Sequence, residues 1–415
     1  MYAAIDPDLK KTPEAQEAES ILRACVHCGF CLATCPTYQV TGDELDSPRG
    51  RIYLMKALFE GQEPGERTQY HLDRCLTCRA CESTCPSGVR YGRLVDAGRS
   101  LLEQRFPRPL GARVKRSIIR FGLGKAGLFG AALKLGRALK GLMPEQLAAS
   151  VPDVRSAGVW PPARHARRMI VLGGCVQPAL DPGTNAAAAR VLDRLQISLV
   201  QVSRAGCCGA LPHHTGDHDG ALDAMRRNID AWWPSIEAGA EAIIATASGC
   251  GSELKDYGHH LRNDPVYAER ANRVSALVKD LSEILAPLSE KLVHFMPLIR
   301  RPSGKAARIT YHPPCSLQHG QQIRGKAEAL LSAMGYVLQP FAESHLCCGS
   351  AGTYSLLQPA LSQALKTRKL GHLLGTAPAM IATANIGCQM HLQSGTAVPV
   401  RHWIDLVDDL LHGKD

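Results

Sequence analysis

Apolar positions along the chain change their spacing twice. Up to about Phe106 they recur at helical intervals. Pro13 to Arg23 is rich in Ala and Glu and leads through Ile21 and Leu22 into a cysteine loop, and Ser47 with Pro48 reads as an N-cap and first helical residue. Ile52, Leu54, Met55, Leu58 and Phe59 form the stripe that follows, and Val89 to Phe106 continues helically. Leu110, Val114, Ile118, Phe121, Leu128, Leu135 and Leu139 then recur every three, four or seven residues with Lys and Arg between them, predicting an amphipathic helix pair. From Arg164 the pattern becomes short apolar runs alternating with helical stretches. MIVLGGC, ISLVQV and AIIATASGC flank helices over Ala186–Leu195 and Ala221–Glu237, while RITYHPPC, YVLQPF and MIATANIGC flank helices over Ala327–Met334 and Ala360–Leu373. This predicts a helical module followed by a duplicated α/β domain with parallel strands.

Cysteine spacing supports the duplication. Cys175 to Cys207 and Cys315 to Cys347 are both 32 residues, and Cys208 to Cys250 is 42 against 40 for Cys348 to Cys388. Each of these thiols is expected just past a strand, at the sheet edge where α/β domains place ligands. The expected organisation is 1–103 helical, 104–165 connector, 166–300 first repeat and 301–415 second repeat.

Charge changes the picture mainly in the connector. The chain carries +10, yet fourteen Lys or Arg against two acids between Gln104 and Arg168 put the excess there. No zinc-finger, helix-turn-helix or aromatic-basic pattern accompanies it, so a nucleic-acid role is not expected. Three uses are open to this surface: packing back on the protein as a solvated face, docking a partner subunit, or lying on anionic lipid. Gly122, Gly124 and Gly127 spell G-x-G-x-x-G there, but the preceding VKRSIIRF is too charged for the buried strand that a dinucleotide site requires. The N-terminus lacks an apolar signal core and no uninterrupted apolar run is long enough to span a bilayer, which leads us to expect a reducing, cytoplasmic setting with peripheral attachment to the cytoplasmic face of the inner membrane as an option.

The chemistry lies in CVHCGFCLATCP from Cys25 to Pro36 and CLTCRACESTCP from Cys75 to Pro86. Both are C-x2-C-x2-C-x3-C-P, the run in which three thiolates hold one [4Fe-4S] cluster and the fourth holds its neighbour. The crossed pattern assigns Cys25, Cys28, Cys31 and Cys85 to one cluster and Cys75, Cys78, Cys81 and Cys35 to the other. Paired CxxC units also bind zinc, but zinc needs neither the third step nor the trailing CP. The long helical spacer between the loops is analogous to the α-helical ferredoxin modules of respiratory iron-sulfur subunits. Cys175, Cys207, Cys208 and Cys250, with Cys315, Cys347, Cys348 and Cys388, offer a second metal or cluster site; inert packing thiols and a redox dithiol are the alternatives.

With the CCG units and details such as NIDAWWPSIEAGAEAI and CCGSAGTYS, the chain resembles the iron-sulfur subunits of glycolate oxidase. The wider family includes the equivalent subunits of lactate and anaerobic glycerol-3-phosphate dehydrogenases and the CCG domains of heterodisulfide reductase. The resemblance implies a subunit of an oxidoreductase acting on CH-OH donors, with flavin confined to partner subunits that oxidise glycolate to glyoxylate and a quinone or membrane electron-transport chain as acceptor. The chain alone is then not competent for substrate oxidation. A CCG-domain disulfide or quinone reductase is the competing reading. Each repeat departs from the five-thiol heterodisulfide reductase pattern, closing with Cys250-Gly-Ser-Glu253 and Cys388-Gln-Met-His391, so Glu253 and His391 are candidate completing ligands.

Overall fold

A computed structural model describes residues 1–144, 156–296 and 308–412. The N-terminal module is helical: α1 (Pro13–Ala24), α2 (Pro36–Thr41), α3 (Pro48–Phe59), α4 (Glu66–Asp73), α5 (Ala80–Thr84) and α6 (Tyr91–Arg105). Thr12 and Ser47 cap α1 and α3 by accepting from the Ala15 and Gly50 amides, each with proline at the first helical position. Both hydroxyls satisfy amides that a helix start leaves unpaired. The apolar stripe of α3 packs on α6, where Met55, Leu58, Leu94 and Leu102 are buried together with Leu22 and Leu72. Gly98 permits this approach, since a Cβ there would stand 2.8 Å from the Met55 sulfur.

The connector forms the expected helix pair, α7 (Leu110–Gly124) and α8 (Ala126–Ala138), but with its faces reversed relative to a helix packing an apolar stripe on a core. Neither helix contains a buried residue, and Leu110, Ile118 and Phe121 are 74%, 66% and 58% exposed. Three cations turn inward instead, while Arg113, Lys115, Lys125 and Lys134 stay exposed: Arg116 reaches Asp73 at 3.1 Å, Arg120 donates to the Thr215 carbonyl at 3.1 Å, and Arg137 to that of Ala179 at 3.3 Å. The Gly122–Gly127 string straddles the junction of the two helices and follows no strand.

Each repeat is a four-stranded parallel sheet. The first orders β1 (Arg167–Val171), β2 (Ile197–Gln201), β3 (Ile243–Ala245) and β4 (Val278–Asp280) as β2-β1-β3-β4. The second orders β5 (Arg308–His312), β6 (Val337–Leu338), β7 (Met380–Thr383) and β8 (Val400–His402) as β6-β5-β7-β8, the same topology. β4 and β8 were not among the expected strands, because Val278-Lys279-Asp280 and Val400-Arg401-His402 break the apolar run with charged and polar residues. The helices that matter for the site are α9 (Gly183–Arg194), α10 (Ala210–His214), α11 (His218–Glu237) and α12 (Ser248–Lys255) in the first repeat. Their second-repeat companions are α13 (Lys326–Ala333), α14 (Pro359–Leu374), α15 (Ile386–Gln393) and α16 (Trp403–His412).

The repeats share one core. Val171, Ile244 and Leu192 from the first pack with Ile309, Ala382 and Trp403 from the second, and Arg190 on α9 forms a two-oxygen ion pair with Asp408 on α16. The expected boundary at 300/301 lies outside the described residues.

Candidate metal centres

The two cysteine loops repeat in backbone as they do in sequence. His27 and Gly29 have φ of 56° and 83°, and the matching Thr77 and Arg79 have 52° and 58°. Left-handed backbone at a non-glycine costs about 1 kcal/mol, so its presence at His27 and again at the matching Thr77 shows that the loop shape is imposed. Each loop is followed by Pro36 or Pro86, and Pro36 opens α2.

This folding gathers the expected thiols. Cys25, Cys28, Cys31 and Cys85 line one pocket together with Cys81, and Cys35, Cys75, Cys78 and Cys81 line its neighbour. Cys81 faces both. Grouped thiols of this number are soft donors suited to iron-sulfur clusters. Polar hydrogens reach Cys75: the Thr77 amide lies 3.4 Å and the Tyr91 hydroxyl 3.6 Å from its Sγ, while Thr37 Oγ1, which donates to the Asp46 carbonyl at 2.8 Å, lies 3.3 Å from Cys35 Sγ. Burial, reinforced by Cys25, pushes the Cys31 thiol up to about 11, so loading metal here must displace a proton.

The pockets differ in exposure. Cys28 is exposed and its rim carries exposed Val26 and Phe30, whereas Cys78 and Cys315 pack against one buried group comprising Leu76, Cys347, Tyr354, Leu361 and Leu365. Further bonds hold the second loop to the repeats: Arg79 to Asp256 at 2.9 Å, Ser83 Oγ to His319 Nδ1 at 2.9 Å, and the Tyr354 hydroxyl to the Arg74 carbonyl at 3.1 Å.

The CCG thiols lie at the carboxyl ends of their sheets, with a refinement: Cys250 and Cys388 belong to the first turns of α12 and α15 rather than to strand ends. Cys315 and Cys347 sulfurs are 3.7 Å apart, and in the first repeat Cys207 is held well below the usual thiol range by hydrogen bonds from Cys175 and then Cys208. Gly349 makes the second turn possible: its φ is 91°, its amide lies 3.4 Å from Cys347 Sγ, and a Cβ there would come within 2.5 Å of the Ser362 carbonyl. Neither candidate completing ligand turns to the thiols. Glu253 Oε1 sits 3.1 Å from His213 Nδ1 and 3.7 Å from His260 Nε2, and His391 Nε2 is 3.3 Å from Ser362 Oγ.

Two features were not expected from the sequence. The pairs His213–His214 and His259–His260 were legible as strings, but only the fold gathers them: His213, His259 and His260 line a cavity of about 320 Å³ with Asp96, Arg79 and His218 between the helical module and the first repeat, and His214 lines a small pocket beside it with Asp96 and His213. The second is His312, at the end of β5.

Two adjoining thiol pockets on a helical module, joined to a duplicated cysteine-rich α/β unit, define an iron-sulfur electron carrier. Residues 21–89 match the 4Fe-4S dicluster domain family, and residues 170–255 and 309–393 match the cysteine-rich domain family. The chain is 50% identical over 412 residues to the glycolate oxidase iron-sulfur subunit of Escherichia coli K12, covering 99% of both chains. It is 33% identical over 409 residues to the probable glycolate oxidase iron-sulfur subunit of Bacillus subtilis 168, covering 91% of this chain and 89% of that one. A more distant relative, at 24% over 388 residues, is a fumarate reductase (CoM/CoB) subunit of Methanothermobacter marburgensis, covering 92% of this chain and 69% of that one. The chain belongs to the family of glycolate oxidase iron-sulfur subunits, and no described helix is long and apolar enough to cross a membrane.

Proposed function

We propose that this chain carries electrons from the flavin subunits of a glycolate dehydrogenase toward a quinone-type acceptor. Cys25, Cys28, Cys31 and Cys85 hold one [4Fe-4S] cluster, and Cys75, Cys78, Cys81 and Cys35 hold the other. When bound, such clusters supply one-electron carriers, which the two-electron oxidation of a hydroxy acid at a flavin requires downstream.

The observation that carries this reading is the graded burial along the thiols. One loop presents Cys28, Val26 and Phe30 to a partner, and the other packs half-buried Cys78 with Cys315 against the buried group that contains Cys347. An exposed entry and an exit packed against the second repeat suit a relay that receives electrons from another subunit and delivers them into the repeats. The apolar stripe of α7 and α8, flanked by exposed Arg113, Lys115, Lys125 and Lys134, supports peripheral attachment to anionic lipid, where a quinone acceptor resides.

The purified chain is expected to show no glycolate oxidation with artificial dyes and to gain quinone-linked activity when flavin subunits are added. Cys78→Ser in the assembled complex should leave flavin reduction by glycolate intact and abolish electron delivery. Turnover of glycolate by the pure chain would overturn the assignment.

A further inference from the structure

β5 ends at His312, three residues before Cys315, and the side chain has no exposure to solvent. Neither ring nitrogen has a hydrogen-bond partner. Burying a polar group without a partner costs about 1–3 kcal/mol, and native proteins retain few such groups without a reason. An imidazole kept only for packing would ordinarily satisfy at least one nitrogen from a backbone carbonyl, as buried His402 does with Thr246 at 2.9 Å.

The surroundings of His312 supply a reason. One of its nitrogens and the sulfurs of Cys348 and Cys388 lie within 4.8 Å of one another, all three residues buried. Thiolate sulfurs sharing one tetrahedral ion at about 2.3 Å stand about 3.7 Å apart, and an imidazole nitrogen at about 2.0 Å stands about 3.5 Å from each. The observed grouping falls within reach of that arrangement, and the neighbouring Cys315–Cys347 pair is already at 3.7 Å.

We infer that His312 is a nitrogen ligand of a metal held by the second repeat, which binds it through mixed imidazole and thiolate donors with Cys348 and Cys388 at its centre. The first repeat is built differently. The residue three before Cys175 is Leu172, which packs in an apolar core with Cys208 and against Cys250. No imidazole can take the same place there, and Glu253 is engaged by histidines instead. The two sites of the duplication therefore diverge, the first with sulfur donors alone and the second with sulfur and nitrogen. The donor set is borderline-soft and suits zinc or an iron of a cluster. On iron, replacing a thiolate by neutral imidazole raises the reduction potential, which would make the second repeat the electron sink beside Cys78.

The inference rests on the reading that the second thiol set binds metal, and the test separates the two. The full chain, produced anaerobically with its partner subunits and with 15N-labelled histidine, is analysed for metal beyond the eight irons that two [4Fe-4S] clusters contribute. Pulsed paramagnetic resonance of the reduced protein then reads nitrogen coupling if that metal is iron, and zinc-edge X-ray absorption reads a nitrogen near 2.0 Å if it is zinc. The expected result is additional metal with one directly bound histidine nitrogen. His312→Leu, which installs the residue of the first repeat, should lower retention of that metal tenfold or more while the eight irons stay, and His312→Cys should restore it. Absence of additional metal would overturn both the metal reading and the inference. Additional metal with sulfur donors only, or full retention in the leucine variant, would overturn the role of His312 alone; the measurements on unsubstituted protein stand even if a variant fails to fold.

Discussion

Arg51 and Asp46 form an ion pair at 3.3 Å with their side chains only 1% and 0% exposed. Asp46 also meets His71 Nδ1 at 2.9 Å and Arg74 at 2.5 Å, and Arg51 donates to Thr37 Oγ1 at 3.1 Å and to the His71 carbonyl at 2.7 Å. Thr37 follows the first cysteine loop and Arg74 precedes the second, so this buried network is a clamp between them.

Asp46→Asn should therefore act on both pockets at once. Leaving Arg51 and Arg74 without their carboxylate costs on the order of 3–5 kcal/mol. The expected outcome is a markedly lower denaturant midpoint and loss of iron and acid-labile sulfide from both clusters, measured on anaerobically prepared protein. Unchanged iron and midpoint would show that the loops are joined by other means.

The two loops should respond unequally to loss of a thiol. Cys28 is exposed, so Cys28→Ser is expected to remove about four irons while leaving the fold standing. Cys78 lies in the contact between the module and the second repeat, so Cys78→Ser should lose its cluster and also loosen the packing around Leu76 and Tyr354. Iron analysis with thermal melts separates the cases, and equal melting of the two variants would contradict the burial argument.

The differences between sequence and structure have physical origins. The helical module, the connector helices and the duplication were legible because each rests on a local period or a repeated spacing, as with Ser47, Pro48 and the stripe from Ile52 to Phe59. The grouping of Cys35 with Cys75 was expected from motif chemistry and is seen as a shared pocket wall. The inward turn of Arg116 and Arg120 was not legible, because periodicity reports which residues share a face but not which face meets the protein. His312 was hidden for a related reason: within RITYHPPC it reads as one more strand residue, and only parallel pairing beside β7, with Thr383 opposite, brings it to the ends where Cys348 and Cys388 lie.

Stability should depend on pH through His213. Burial opposes its charge, but Glu253 and Asp96, with a hydrogen bond to Glu253, outweigh burial and hold it up at about 9. His214, His218, His260 and Asp256 face the same cluster. A folded value above the unfolded one near 6.5 means the contribution is fully present below about 6.5 and is lost as pH rises through about 9. Its size is on the order of 1–3 kcal/mol. Glu253, held well below the carboxylate range despite burial by His213, runs the opposite way and loses its contribution as pH falls below about 4.5. Urea midpoints from pH 6 to 9.5 should decline for the parent chain and stay flat for His213→Gln; parallel curves would remove His213 as the cause.

The outward stripe of α7 and α8 should set where the assembled complex resides. Leu110, Ile118, Phe121 and Leu135 are exposed, residues 109–144 contain no acid, and the exposed cations Arg113, Lys115, Lys125 and Lys134 lie in the same segment. An apolar stripe bordered only by positive charge matches an anionic bilayer surface, with apolar burial providing hold and each near-surface cation adding about 1 kcal/mol. Complex containing the parent chain is expected to co-sediment with vesicles rich in anionic lipid and to be partly released by salt, since screening weakens the charge contribution and leaves the apolar one. Ile118→Ser with Phe121→Ser should weaken attachment at low salt and release it fully once salt screens the cations, while leaving iron content and flavin-subunit assembly unchanged, because neither side chain is buried in the chain. Loss of flavin subunits on the same substitutions would instead make this stripe the subunit interface, and full retention on vesicles would exclude it as the attachment surface.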